Sequence, residues 1–482
     1  MWNFTPELKL LLIIMLGLYY SATVFLFIQT GFTVPTSDLR FCITGTRTNT
    51  SSSTLPLSPS PSPSPPPLNQ DQLLPNGVLK RAFNTYGSAA YSFISMSAYR
   101  GGLNTFAIIG LASKPLHVFG KPTYECRWVP ELNSSEHIST VAYKMLPDWG
   151  YGRVYTVVVL NCTFSKPINA NNSGGKLILY ANNSSGGDWI SNRIEIIEIL
   201  SESPGSLNFS LFTSPPKYDY FYCGSPWYGT LSPKRIREWL AYHVWLFGSN
   251  SHFVIYDAGA INEEVMEVVK PWMELGYVSL HDIREQERFD GHLHNQFVVL
   301  NDCLHRYKFM AKWMFFFDVD EFIYVTPNNT IKSVLDSLSE YSQFMFLQRH
   351  MSTKLCLSVS DDAEQTYRKW GFEKLVYRDV KRGIIWDRKY VVQPRNVYSA
   401  GIHLSQYLVG KSIYMSDYRI TYFHFRGTTA NRSEPCEKFI NSTKFYFERH
   451  PFILDTSMRD VADLVKKFEL KMIGSILQNT HQ

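Results

Sequence analysis

Five apolar residues, Trp313-Met314-Phe315-Phe316-Phe317, run directly into Asp318-Val319-Asp320-Glu321. A wholly apolar run of that length has no polar face to turn to water, so it predicts a strand covered on both sides. The chain before it alternates as a helix-covered parallel sheet requires. Tyr218 to Cys223 reads as a strand, and Ser232-Pro233 then opens a helix through Phe247, with Ser at the N-cap and Pro at the first helical position. His252 to Tyr256 is a buried strand ending in Asp257, Asn262 caps a helix to about Leu275, and Tyr277 to Leu280 is the next strand. A helix from about His292 to Tyr307 leads into the Trp313 run. From about residue 216 the expected fold is therefore α/β, with a mostly parallel sheet. Ligands of such sheets sit beyond the carboxyl ends of the strands, so residues just after each apolar run are the candidates.

Asp318 and Asp320 stand two apart at such a strand end, where a divalent ion can bridge them to a diphosphate. Hard oxygen ligands suit Mn²⁺ or Mg²⁺, which keep positions open for phosphate oxygens. The plainer reading is a pair of acidic N-caps for the next element. Tyr422-Phe423-His424-Phe425-Arg426 is a later strand-like run. A neutral His424 is a reasonable third ligand and Arg426 can meet phosphate charge, although a lone histidine in an aromatic strand is more often a satisfied core residue.

The other end of the chain says where such a site works. Leu10 to Ile28 is nineteen residues without a charge, roughly 28 Å as a helix and close to the hydrocarbon thickness of a bilayer. A cleaved signal peptide would be shorter, whereas Val24 to Ile28 stays apolar past any small-x-small site. The expectation is an uncleaved anchor over 10–28 behind a cytosolic tail at 1–9. Residues 29–76 fall into Ser, Thr and Pro, with SPSPSPSPPP at Ser58 to Pro67; such a stretch buries no core and reads as an extended stem. Beyond the anchor lie ten Asn-x-Ser/Thr sequons: Asn49, Asn133, Asn161, Asn171, Asn182, Asn183, Asn208, Asn328, Asn431 and Asn441. That density favours a lumenal bulk, hence a single-pass type II membrane protein. Six cysteines in the folded part, none in a CxxC or zinc-like spacing, point to disulfides, with Cys126–Cys162 the expected pair because both lie in one predicted domain.

Residues 77–215 read as β-rich: Ala90 to Ile94, Phe106 to Ile109, Val154 to Leu160 and Lys176 to Tyr180 are short apolar runs between turn signals, which suggests a β-sandwich. Aromatic residues make up 15% of the chain, and Trp128, Trp149, Tyr151 and Trp189 are candidates for stacking on sugars, with core packing the plain alternative. The net charge of +5 comes without a dense basic block, which gives no reason to expect a nucleic-acid partner.

Taken in order, Trp239-Leu240-Ala241-Tyr242-His243, Phe253 to Asp257, Gln296 with Asn301-Asp302-Cys303, Phe317 to Phe322, Lys389-Tyr390-Val391-Val392-Gln393-Pro394, Gly401-Ile402-His403 and His424-Phe425-Arg426 resemble glycosyltransferase family 92 over roughly 220 to 450. The anchor, the stem, Arg81 to Gly87 and Tyr124 to Trp128 resemble its plant β-1,4-galactan-synthesising branch. The resemblance implies a Golgi enzyme with an inverting, Rossmann-like GT-A catalytic domain at 216–482, preceded by a domain resembling a carbohydrate-binding module. It implies UDP-galactose as donor, Mn²⁺ as cofactor and the galactan side chains of pectic rhamnogalacturonan I as acceptor. Asp318, Asp320 and His424 are then the metal set, with Asp320 also catalytic. Asp257 is placed for ribose or base hydroxyls, and Gln296, Asp302 and Arg426 are donor-pocket candidates.

Inversion by direct displacement needs a base for the acceptor hydroxyl. Trp370-Gly371-Phe372-Glu373, an aromatic platform followed by a carboxylate, has the look of that position, which makes Glu373 the expected base against Asp361, Asp362 and Asp379. Here the chain departs from the family pattern, with Met351 to Ser360 in place of a Gly/Ser-rich stretch. Trp370 and Trp386 are acceptor-stacking candidates. A homodimer is the expected assembly. The rival functions are a transferase for another glycan such as an N-glycan, a non-catalytic glycan-binding protein, and a phosphoesterase, which needs carboxylates for a second metal.

Overall fold

The computed structural model describes residues 68–87, 91–115, 122–132, 136–146, 154–182, 194–289, 291–358, 369–380, 388–415, 418–430 and 436–477. The expected anchor, the expected stem as far as residue 67, Asn49, Asn133, Asn183, Asn431, Trp149, Tyr151, Trp189, Asp361, Asp362 and Trp386 lie outside them. Among the described residues no helix is long and apolar enough to cross a membrane. All of them fall in one compact unit, Pro65–Gln482.

The chain opens with a hairpin, β1 (Gln72–Leu73) and β2 (Leu79–Lys80), followed by β3 (Asn84–Tyr86), β4 (Phe93–Arg100), β5 (Thr105–Ser113), β6 (Thr123–Pro130), β7 (Ile138–Lys144), β8 (Tyr155–Thr163), β9 (Gly175–Asn182) and β10 (Ile194–Glu202). Strands β3 to β10 form one antiparallel sheet in the order β10-β9-β6-β7-β8-β5-β4-β3. The sheet closes over itself, because alternate residues of both wings enter a single core: Phe93, Phe106, Leu160 and Cys162 meet Trp128, Leu177, Leu179 and Ile197. Trp128 is therefore core, stacked on Phe106 at 5.8 Å between ring centroids, and not a sugar platform. A disulfide joins Cys126 to Cys162 across this core.

The α/β part comprises β11 (Tyr218–Cys223), α1 (Pro233–Phe247), β12 (Ser251–Asp257), α2 (Glu263–Glu274), β13 (Val278–Asp282), α3 (Gln296–Tyr307), β14 (Ala311–Phe316), β15 (Glu321–Val325), α4 (Ile331–Ser337), β16 (Gln343–His350), α5 (Gly371–Lys374), β17 (Lys389–Val392), β18 (Ser412–Tyr414), β19 (Ile420–His424) and α6 (Ser457–Leu477). Its sheet has eleven strands, β1-β2-β13-β12-β11-β14-β17-β16-β19-β15 with β18 beside β16. The expected parallel arrangement holds from β2 to β14. Beyond β14 the sheet is mixed, since β17 runs antiparallel to both β14 and β16, and β15 antiparallel to β19.

Two boundaries differ from the sequence reading. The expected stem ends too late: β1 falls inside 29–76 and is folded, pairing with β2, and β2, counted in the expected β-rich domain, extends the α/β sheet by pairing with β13. Helix α3 starts at Gln296 instead of near His292, because Leu293, His294 and Asn295 have φ of +47°, +54° and +59°, a left-handed turn that no α-helix accommodates.

The two parts share a core. The face of β4, β5 and β8 that looks away from the sheet's own interior (Ile94, Met96, Ile109, Val157 and Val159) packs with Phe297, Leu300 and Leu304 of α3. On strand β8, residues of one parity thus serve the β domain and those of the other parity serve the interface, so the strand is buried almost throughout.

Candidate functional site

The Asp318–Glu321 turn lies beyond β14, at the carboxyl edge of the parallel strands. Its geometry is set by hydrogen bonds within the turn: Glu321 N donates to Asp318 O (3.1 Å), and Asp318 N donates to Glu321 Oε2 (2.7 Å). Strand β15 follows at once and pairs with β19 in a register that sets Glu321 opposite His424. Phe425 N donates to the carbonyl of Asp320 (2.9 Å). Gly427, at φ +72°, turns its N–H onto Asp320 Oδ2 (2.9 Å), a backbone conformation that favours glycine.

Strand β15 ends the sheet, and its outer edge is held by α1. Trp239 Nε1 donates to Glu321 O (2.9 Å), Tyr242 Oη donates to Ile323 O (2.7 Å), and His243 Nε2 accepts from Ile323 N (3.2 Å). The Trp-Leu-Ala-Tyr-His run is thus a row of side chains that replaces a neighbouring strand. Burial pushes the His243 imidazole down to about 3, which keeps it neutral and able to accept.

Asp320, Glu321 and His424 place one ligand atom each within 4.8 Å of one another. His424 Nε2 stands 3.5 Å from Asp320 Oδ2, and the Gln348 amide pairs with His424 Nδ1, which leaves Nε2 facing the acids. Two carboxylates and an imidazole form a hard donor set that suits Mn²⁺ or Mg²⁺, so the residues present fit the implied ion. Burial pushes the Glu321 carboxyl up to about 7, with Lys389 pulling the other way. Burial works against a charged His424, but Asp320 and Glu321 outweigh it and raise its pKa.

Asp318 is placed differently from expectation. Its Oδ2 accepts from Lys389 Nζ (2.7 Å) and its Oδ1 from Gln296 Nε2 (3.3 Å). Burial opposes its ionisation, yet Lys389 prevails and holds the carboxyl below its usual range. Gln296, at the first turn of α3, is therefore at the site, and Arg426 is exposed one residue beyond Phe425. Asp257 does lie at the end of β12, but its Oδ1 accepts from Gly259, Ala260 and Ile261 N–H groups (2.9, 2.9 and 3.1 Å). That oxygen holds the following loop.

Three expected roles are corrected. Asp302 is no donor-pocket residue: it is fully buried between the two parts of the molecule, accepting from Arg81 Nη2 (2.8 Å), Ser97 Oγ (2.6 Å), Tyr99 Oη (2.7 Å) and Tyr256 Oη (2.6 Å). Glu373 is not presented to an acceptor either. It accepts from Trp370 N (2.7 Å) to cap α5, and it pairs with Lys466 of α6. Trp370 lies beneath the Lys466 ammonium (5.5 Å) and against Phe372, as packing between helices. The competing Asp379 is buried and pairs with His450 at 3.2 Å. Sequence reasoning passed over Glu321, Lys389 and Gln348 as site residues. Glu321 and Lys389 stood inside quoted motifs, and the signal was their charge within otherwise apolar strands; Gln348 had none.

The sheet and the strand-end cluster together define an α/β protein with its chemistry beyond the carboxyl ends of its parallel strands. Residues 218–461 match glycosyltransferase family 92, and the chain belongs to that family, which makes it a glycosyltransferase. It is 54% identical to galactan beta-1,4-galactosyltransferase GALS3 of Arabidopsis thaliana over 100% of this chain and 96% of the relative. It is 52% identical to GALS2 over the same shares, and 45% identical to GALS1 over 84% of this chain and 81% of the relative. A solved galactosyltransferase, LgtC in complex with donor and acceptor sugar analogues, covers 55% of this chain and 97% of its own at 10% identity, with a TM-score of 0.26; a likeness so slight carries no argument.

Proposed function

We propose that this protein is an inverting β-1,4-galactosyltransferase that extends galactan side chains of pectin from UDP-galactose. The observation that carries the reading is whole-chain identity to relatives named for that activity, through the β domain as well as the α/β domain. The catalytic domain is read as GT-A in type, working in the Golgi lumen behind the amino-terminal anchor, with the β domain as a carbohydrate-binding module.

Asp320, Glu321 and His424 would hold a divalent cation, Mn²⁺ by preference, which supplies charge neutralisation at the diphosphate leaving group. Gly427 N–H fixes one oxygen of Asp320, Gln348 orients His424, and the α1 side chains keep β15 from shifting under the site. Gln296 holds Asp318 in place, and exposed Arg426 stands at the rim where an anionic donor would enter. Among the described residues there is one such metal-ready cluster, which disfavours the two-metal phosphoesterase.

The test is UDP release by the full chain with UDP-galactose and β-1,4-galacto-oligosaccharide, with Mn²⁺ or with chelator. Release that requires both acceptor and metal, with product cleaved by a β-1,4-galactanase, supports the reading. Acceptor binding without release from any UDP-sugar would move the protein to the glycan-binding class. Shortening the chain to residue 77 for this assay would delete β1 from the sheet.

A further inference from the structure

We propose that Lys389 is the resident cation of the site: a positioning residue that claims Asp318 and so divides the carboxylates into a set held by the protein and a set left for an exchangeable metal. The inference rests on the reading that a divalent cation binds at Asp320, Glu321 and His424.

Lys389 opens β17, beside β14 and β16, and its side chain is 2% exposed. Its ammonium lies 2.7 Å from Asp318 Oδ2 and 3.4 Å from Glu321 Oε2. A lysine in that setting is stable only with carboxylate partners, and the carboxylates tolerate each other only with a cation between them. Both oxygens of Asp318 have protein partners, Lys389 and Gln296. The mutually close donor atoms come instead from Asp320, Glu321 and His424. Lys389 thus preserves the shape of the turn before any metal arrives, and it keeps Asp318 from drawing the ion out of place.

The test compares the full-length wild type with Asp318→Asn, Asp320→Asn, Lys389→Met and the double variant Asp318→Asn/Lys389→Met. Mn²⁺ binding is followed by the loss of the free-ion EPR signal, and metal-free unfolding by denaturant. Asp320→Asn should lose Mn²⁺ binding at least tenfold, while Asp318→Asn stays within about threefold of wild type. Lys389→Met should bind Mn²⁺ about tenfold more tightly, since one positive charge is gone and Asp318 is released, yet turn over about a hundredfold more slowly. Its metal-free unfolding midpoint should fall, and the double variant should recover part of that loss. If Lys389→Met alone fails to fold, recovery of folding in the double variant supports the inference equally.

Wild-type Mn²⁺ affinity and turnover in Lys389→Met would overturn it, as would strictly additive stability losses in the double variant. A wild type that binds no Mn²⁺ would sink the metal reading and with it the division of the carboxylates. Lys389–Asp318 coupling in metal-free unfolding would then mark the pair as a structural ion pair only.

Discussion

Asp302 and Asp320 are both acids in quoted family motifs, and the structure gives them opposite surroundings. Asp302 meets Arg81, Ser97, Tyr99 and Tyr256 inside the interface between the β domain and the α/β domain, with no side-chain exposure. Asp320 is 17% exposed beside Glu321 and His424. The first is a carboxylate whose counter-charge is built into the protein. The second sits in a cluster of acids with only Lys389 and a histidine to balance it. An acid fully satisfied by the fold holds structure, whereas acids gathered with spare acceptor capacity are suited to a ligand.

That contrast is broken most directly at Asp320. Asp320→Asn should lower turnover about 10³-fold, a loss of the size seen when a preorganised electrostatic group is removed, with stability within about 1 kcal/mol of wild type; UDP release and urea unfolding check both halves. Asp302→Asn should do the reverse. Leaving the buried Arg81 with an uncharged partner is expected to cost roughly 3–5 kcal/mol, read from denaturant midpoints, with turnover of the folded fraction little changed.

A smaller effect separates the two acids by pH. Burial disfavours charge on Asp302, but Arg81 prevails and holds its carboxyl well below the usual range. A depressed folded-state pKa contributes stability above the unfolded value of about 4, and that stability is lost as the pH falls below it. The unfolding free energy of wild type should therefore drop steeply below about pH 4, and Asp302→Asn should flatten that limb. Gln296→Ala tests the link between the clusters, since α3 carries both Gln296 and Asp302. Losing a supporting contact to Asp318 should reduce turnover about tenfold and leave the acid limb of the pH–stability curve unchanged.

Much of the α/β part was legible because its strands and helices carry local signals. The Trp313 to Phe317 run, Pro233 at the first turn of α1 and the Asn262 cap, whose side chain accepts from Val265 N, each act within a few residues. The left-handed turn before α3 was not legible, since leucine rarely takes positive φ, and His294 and Asn295, which take it more readily, are just as common with negative φ inside helices and strands. Nor was the antiparallel half of the sheet, because strand direction depends on which edge a segment meets after collapse. Asp302 was misread for the same reason: its partners Arg81, Ser97 and Tyr99 come from a region expected to form another domain. In Glu373 the carboxylate and aromatic pattern was read correctly as residues but not as a capped turn against α6.

By itself the sequence determined the family, the α/β grammar and the pair of acids at a strand end, because motif order, apolar runs and caps are local properties of the chain. Only the tertiary structure decided which acids share a site and which are sealed by a cation. A carboxylate's role depends on the charges and donors within a few ångströms, and those arrive from Arg81 just past β2 and from β4, β17 and β19, segments that sequence spacing does not bring together.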